Sequence, residues 1–93
     1  MMEVIMFENI DEKIKDEGYL LDRKDDFGLT YKKVFHSWQE KKSKIVEIKH
    51  NKISFYTIDE IFTNKTEPAR LTYKELMLFS KKFKKIKKEY GWK

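Results

Sequence analysis

Cysteine is absent from this chain, and both glycine and proline are scarce, with three glycines and one proline, Pro68. Without cysteine the protein can form neither disulfide bonds nor cysteine-ligated metal sites, and we expect it in the reducing cytoplasm. Three glycines are too few for the glycine-rich loops that cradle nucleotide phosphates. No apolar run reaches the roughly 18 residues of a membrane-spanning helix, so the sequence predicts no membrane partner.

Residues suited to catalysis are equally scarce. His36 and His50 are the only histidines, and neither has the spacing of a metal site such as HExxH. No serine has the sequence context of an activated nucleophile. The sequence therefore predicts a protein that is not an enzyme, with no catalytic residue, no metal, no cofactor and no small-molecule substrate.

Aromatic and charged residues are plentiful by contrast, since the 93 residues include seven Phe, five Tyr, two Trp and 40% charged residues. This content suffices for one hydrophobic core, so residues 1–93 are expected to form a single domain. The charge is unevenly placed. Residues 81–93 hold seven Lys and one Glu, a net charge of +6, whereas the whole chain carries +5. Residues 1–80 therefore sum to about −1.

The beginning of the chain predicts an acidic amphipathic helix over residues 3–17. Its apolar positions recur at helical spacing and are Val4, Phe7, Ile10 and Ile14. Gly18 suits the left-handed position that follows a helix, and Tyr19 can then pack back against Ile14. Six acids and two lysines give residues 1–17 a net charge of −4.

Two β-hairpins are predicted in the middle of the chain. The first joins Tyr19–Lys24 to Leu29–Phe35 through a polar turn closed by glycine. The second joins Lys44–Lys49 to Ile53–Ile58 through residues 50–52. In the second hairpin, four apolar residues alternate onto the core side and oppose one another: Val46, Ile48, Ile53 and Phe55.

The other face of the second hairpin is also partly apolar, because Ile45 and Tyr56 fall on it. We expect that face to be partly covered or to form a contact surface. Residues 36–43 and 63–71 are predicted to be loops, and residues 59–62 either one helical turn or a strand extension.

The end of the chain carries the strongest helix signals. Thr72 and Glu75 form a capping box, in which each side chain satisfies a backbone amide of the first turn. Gly91 suits the C-terminal cap, and Trp92 can fold back on Ile86. The predicted apolar stripe of this helix consists of Leu76, Phe79, Phe83, Ile86 and Tyr90.

The order of these elements predicts an α+β fold in two layers. One face of a four-stranded antiparallel sheet can cover the apolar stripes of both helices. We therefore expect a helix–four-stranded sheet–helix (α-β-β-β-β-α) domain with both helices on one face, the first acidic and the last basic.

Two kinds of macromolecular partner are predicted, and the first is a protein or a second copy of the chain. Aromatic residues beyond the needs of a thin core, and apolar residues near the predicted loops, favour protein contact. The candidate residues are Phe27, Phe35, Trp38, Tyr56, Ile61 and Phe62.

The second kind of partner is nucleic acid, bound without sequence specificity through the basic helix. The candidate residues are Lys81, Lys82, Lys84, Lys85, Lys87 and Lys88. The alternative is a solvated helix face whose charge complements the helix dipole and the acidic first helix. Exposed aromatic side chains for base stacking are not evident there, because the aromatic residues fall on the apolar stripe.

The strand Ile53-Ser54-Phe55-Tyr56, the capped segment of residues 71–76 and the ending Glu89-Tyr90-Gly91-Trp92 carry a resemblance. Together they resemble short uncharacterised open reading frames of phages and prophages of Firmicutes. The resemblance covers about the C-terminal half of the chain. It implies a small accessory protein of a mobile element. For the protein contact predicted above, we expect a host enzyme or defence complex as the target.

Overall fold

The structure, a computed structural model, describes residues 9–36, 41–59 and 66–93. A short helix comes first, followed by strands and a long helix. In chain order the elements are α1 (Ile10–Asp16), β1 (Leu20–Asp25), β2 (Gly28–His36), β3 (Lys41–Lys49), β4 (Lys52–Asp59), β5 (Thr66–Pro68) and α2 (Tyr73–Glu89). This order confirms the predicted α+β architecture, and the sheet has one strand more than predicted.

The strands form one antiparallel sheet in which each strand lies beside its neighbour in sequence. Both predicted hairpins are present, and β3 starts at Lys41, so that residues 41–43 extend the strand instead of the loop. The extra strand, β5, pairs with Tyr56–Ile58 of β4 inside the segment predicted as loop. Pro68 fits there because an edge strand does not need every backbone amide as a donor.

The second hairpin has the predicted register. Val46 lies opposite Phe55, Ile48 opposite Ile53 and Ile45 opposite Tyr56. The connecting residues His50 and Asn51 have φ angles of 52° and 60°, the left-handed conformation that suits the twist of a two-residue hairpin turn. The local turn and the alternation of apolar residues thus specify the same pairing.

Helix α1 begins at Ile10, because the Asn9 side chain caps it by accepting a hydrogen bond from the Glu12 amide at 3.1 Å. The predicted helix started at residue 3, and residues 1–8, with Val4 and Phe7, lie outside the described residues. Gly18 has a φ of 96°, as expected for a residue after a helix, and Tyr19 is buried beyond it.

Helix α2 has both of its predicted ends. The reciprocal capping box of Thr72 and Glu75 is formed, with hydrogen bonds of 2.8 and 3.1 Å. At the other end the Trp92 amide donates to the Lys87 carbonyl at 2.9 Å, while Gly91 takes a φ of 68°. These contacts satisfy backbone groups that a helix end leaves unpaired.

The core lies between one face of the sheet, called the inner face here, and both helices. Its buried members come from the helices, from β2 and β3, and from Tyr19 between α1 and β1: Ile10, Ile14, Tyr19, Leu29, Tyr31, Val46, Ile48, Leu78, Phe79 and Ile86. The predicted stripe of α2 is correct at Phe79 and Ile86 but wrong at Leu76, which is 44% exposed. The buried face of α2 is turned towards α1, so Leu78 is buried instead.

Candidate functional site

The lysines of α2 do not form one solvent-facing group. Lys82 is only 7% exposed, and its ammonium group lies 2.7 Å from the Asp11 carboxylate of α1. Burial would lower the pKa of Lys82, but Asp11 and Tyr31 outweigh burial and raise it. The hydrogen bond from Lys82 likewise holds the pKa of Asp11 below its ordinary value. Lys82 therefore belongs to the fold and not to an exposed basic surface.

The remaining lysine candidates lie on the outward side of α2. Lys81, Lys84, Lys85 and Lys88 are exposed, and Lys87 is half-buried. The aromatic residues nearest to them in sequence, Phe83 and Tyr90, pack against the core. The expectation that the acidic first helix complements α2 is met by Lys82 with Asp11 and by Lys74, whose ammonium lies 3.0 Å from Glu17.

The start of α2 holds a buried carboxylate, because Glu75 is only 1% exposed. It accepts hydrogen bonds from the Tyr19 hydroxyl at 2.7 Å and the Thr72 amide at 2.8 Å. The ammonium groups of Lys44 and Lys33 lie 3.4 and 3.7 Å from its oxygens. Burial would raise the pKa of Glu75, but these four partners hold it below its ordinary value.

This carboxylate cluster is suited to holding the fold together. Burial and the neighbouring carboxylate raise the pKa of Tyr19, so its hydroxyl stays protonated and continues to donate to Glu75. A carboxylate with a lowered pKa and four polar partners is a poor proton acceptor near neutral pH. The cluster therefore connects α2 to β2 and β3 without resembling a general acid–base site.

The sheet continues past this cluster, and we call the ends of β2 and β3 from Lys32 to His36 and from Lys41 to Lys44 the strand arm. Phe35 lies opposite Lys42 on the arm and is 42% exposed. The ammonium groups of Lys33 and Lys44 lie 5.3 and 5.5 Å from the centre of its ring. The arm thus presents an accessible aromatic ring framed by positive charge.

The face of the sheet opposite to the helices, called the outer face, carries a cluster of apolar side chains. We call it the outer patch, and its members are Val34, Ile45, Tyr56 and Ile58. They lie in two adjacent rows, because Ser43 lies between Val34 and Ile58, and Ile45 lies directly opposite Tyr56. Val34 is 42% exposed, Tyr56 and Ile58 are half-buried, and Ile45 is only 6% exposed. No helix in the described part of the chain packs on this face.

Tyr56 lies at the boundary between this patch and polar residues. Burial and a hydrogen bond to the Glu47 carboxylate raise its pKa to about 12. The next row of the outer face contains Glu47 opposite the exposed Ser54. The outer patch therefore combines apolar side chains with the buried Ser43 between them and with polar residues at its border.

Among the residues predicted for protein contact, the three that the structure describes, Phe27, Phe35 and Tyr56, do not form one cluster. Phe27 is 59% exposed at the β1–β2 turn, where its ring lies 5.2 Å from that of His50. Phe35 is eight residues further along the chain, near the other end of β2, about 25 Å away at the rise of an extended chain. Tyr56 is on the outer face, and Trp38, Ile61 and Phe62 lie outside the described residues.

Two further features of the described residues concern metal ions and membranes. Among residues 9–36, 41–59 and 66–93, no group of three or more His, Asp or Glu side chains is placed to hold a metal ion. Neither helix in those ranges is long and apolar enough to cross a bilayer.

Comparison of the chain with protein-family models, with curated proteins and with solved structures gives no match.

Proposed function

We propose that this protein is a non-enzymatic binding module that acts through protein–protein contact made by the outer patch. The observation that carries the proposal is the pairing of Val34, Ile45, Tyr56 and Ile58 on a sheet face without a described helix. In a two-layer domain such a face faces solvent and is expected to be polar. An apolar cluster there is typical of a surface that another molecule covers.

The composition of the patch supports a protein partner. Interfaces have an apolar centre and a polar border, and tyrosine is enriched among the residues that contribute most binding energy. Tyr56 has this position, with Ile45 opposite and Glu47 beside it. The buried Glu75 cluster, by contrast, has its polar groups paired and supports no competing catalytic function.

The resemblance of the C-terminal half to short phage and prophage reading frames suggests the kind of partner. An accessory protein of a mobile element acts on components of the host cell. We therefore propose a host protein, including an enzyme or a defence protein, as the partner, with inhibition as the consequence of binding.

Capture from a host lysate with tagged variants tests this function. We expect Val34→Lys and Ile58→Lys to reduce capture of the partner by about tenfold, because each places a charge inside an apolar contact. Ser54→Lys is the matched control, since it adds the same charge to the polar part of the same face. Equal capture by all three variants would refute the assignment of the patch.

Self-association is the alternative use of the same surface. Light scattering of the purified protein separates the two, because a second copy gives twice the monomer mass without any lysate. If the protein is a dimer that Val34→Lys dissociates, and if no other protein is captured, the partner of the outer patch is a second copy of this chain and not a host protein.

A further inference from the structure

The strand arm is a second basic region of the molecule, and the sequence alone does not show it. Five lysines come together where β2 pairs with β3, and they are Lys32, Lys33, Lys41, Lys42 and Lys44. The described residues of the arm contain no acid. On the face of the sheet that carries Phe35 lie Lys33, Lys42 and Lys44, whereas Lys32 and Lys41 lie on the opposite face. Among the described residues, the acids on the face of Phe35 are Asp59, opposite Lys42, and the buried Glu75, so this face keeps a net charge of +1.

An aromatic ring lies within this charge. Phe35 and Lys42 form a cross-strand pair, and Lys33 and Lys44 form the next pair on the same face of the sheet. The ring of Phe35 stays 42% exposed because it lies beyond the row where Glu75, in the first turn of α2, meets the sheet. The exposed basic face of α2, by contrast, has its neighbouring aromatic rings packed inwards.

The lysines beside the ring are held in place before any ligand arrives. Lys33 and Lys44 contact both the Glu75 carboxylate and the face of Phe35, and their side chains are only 25% and 16% exposed. A site whose charged groups are already ordered loses less conformational entropy on binding. The arm is therefore arranged for a ligand that combines a flat ring with negative charge.

We propose that the strand arm binds single-stranded nucleic acid, with a base stacked on the part of the Phe35 ring that Lys33 and Lys44 leave exposed. Phosphates are neutralised by Lys42 and its neighbouring lysines. Aromatic rings stack on bases that are free of a duplex, and lysines contact the backbone of any sequence. This binding is separate from the proposed protein contact. Val34 and Phe35 are successive strand residues that point to opposite faces, so both surfaces can be occupied at once.

Fluorescence anisotropy with a labelled oligothymidine of about 15 nucleotides, at about 50 mM salt, measures this binding in the intact protein. We expect Phe35→Leu to weaken binding about tenfold through lost stacking, and Phe35→Tyr to retain it. Val34→Ala on the opposite face is the matched control and changes binding less than about twofold. We expect Lys42→Gln to reduce the slope of log affinity against log salt concentration by about 0.7, because one phosphate contact is lost.

Several results would overturn the proposal. Absence of binding at low salt would do so, as would equal binding of Phe35→Leu and wild type. Tight binding of a duplex in place of the single strand would exclude stacking on Phe35. Loss of binding only in the triple variant Lys84→Gln, Lys85→Gln, Lys88→Gln would move the site to α2. Competition by polyglutamate as strong as by the oligonucleotide would show a surface for any polyanion.

Discussion

The two lysine-rich regions of this molecule differ in what surrounds the charge. On α2 the lysines follow one another in sequence, yet Lys82 is buried against Asp11 and Lys74 pairs with Glu17. On the strand arm the lysines are dispersed in sequence and meet only through strand pairing, with the exposed ring of Phe35 among them. Both regions therefore contribute lysines to the fold, Lys82 on α2 and Lys33 with Lys44 on the arm, and they differ in the exposed ring that lies among the arm lysines.

This difference shows why charge density in a sequence does not locate a binding surface. An amphipathic helix near an acidic helix gains stability from lysines that meet acids and from lysines near its C-terminus. A binding surface needs, in addition, accessible groups that recognise the ligand. The strand arm has such a group in Phe35 among its lysines, whereas Phe83 and Tyr90, the rings beside the lysine cluster of α2, pack against the core. The exposed ring of α2, Tyr73, lies at the opposite end of the helix.

The largest effect is expected from Glu75, which connects the two regions. Glu75→Leu leaves the Tyr19 hydroxyl and the ammonium groups of Lys33 and Lys44 without their acceptor. We expect the free energy of unfolding to fall by about 3 kcal/mol, as measured by urea denaturation. Glu75→Gln retains the capping box and removes only the charge. We therefore expect it to lower the free energy of unfolding by about half as much as Glu75→Leu.

Glu89 provides the control for this prediction. It is exposed at the other end of α2, so Glu89→Gln is expected to change stability by about 0.5 kcal/mol or less. A loss for Glu75→Leu no larger than that of Glu89→Gln would mean that the buried carboxylate does not hold the arm against α2.

The pH dependence of stability is a second test of the same carboxylate. The pKa of Glu75 is lowered in the folded protein, so the unfolded chain binds the proton more tightly. The stabilisation is therefore complete above the unfolded value of about 4.3 and is lost as the pH falls through the lower folded value. We expect the free energy of unfolding to decrease below about pH 5, and less steeply in Glu75→Gln. Equal slopes for both proteins would contradict this assignment.

A smaller effect is expected when Lys82 is compared with its neighbour Lys84. Lys82→Met keeps the buried stem but removes the partner of Asp11, whose own side chain is 63% exposed. We expect a loss of about 1 kcal/mol for Lys82→Met. Lys84→Met changes an exposed lysine and is expected to cost about 0.5 kcal/mol or less. Thermal unfolding of the two variants measures whether the buried Lys82 contributes more to stability than the exposed Lys84.

The parts of this fold that the sequence predicts are those with agreeing local signals. The capping box of Thr72 and Glu75, the end of α2 at Gly91 and the alternation of Val46 and Ile48 each depend on neighbours within a few residues. The short strand β5 has no such signal, because three residues are too few to show alternation and because Glu67 and Pro68 are residue types that strands disfavour.

The sites were harder to predict because they depend on contacts between distant segments. Glu75 lies one turn before Phe79 on the helix, which could have suggested its burial, but its partners Lys33 and Lys44 are known only from the sheet register. Lys82 is buried because α1 packs on that side of α2 and supplies Asp11. Apolar spacing alone cannot distinguish Leu76 from Leu78 as the buried leucine.

The smallest effect on stability is expected on the strand arm. The binding proposal requires that Phe35 can be replaced without unfolding the protein. Phe35 and Val34 are each 42% exposed, so Phe35→Leu and Val34→Ala remove little buried surface. We expect each to change the free energy of unfolding by about 0.5 kcal/mol or less, measured by urea denaturation. A change above about 2 kcal/mol for Phe35→Leu alone would mean that the ring supports the fold, as the lysines of α2 do. Near-equal stability, together with unequal oligothymidine binding, would assign Phe35 to recognition and sharpen the difference between the two basic regions.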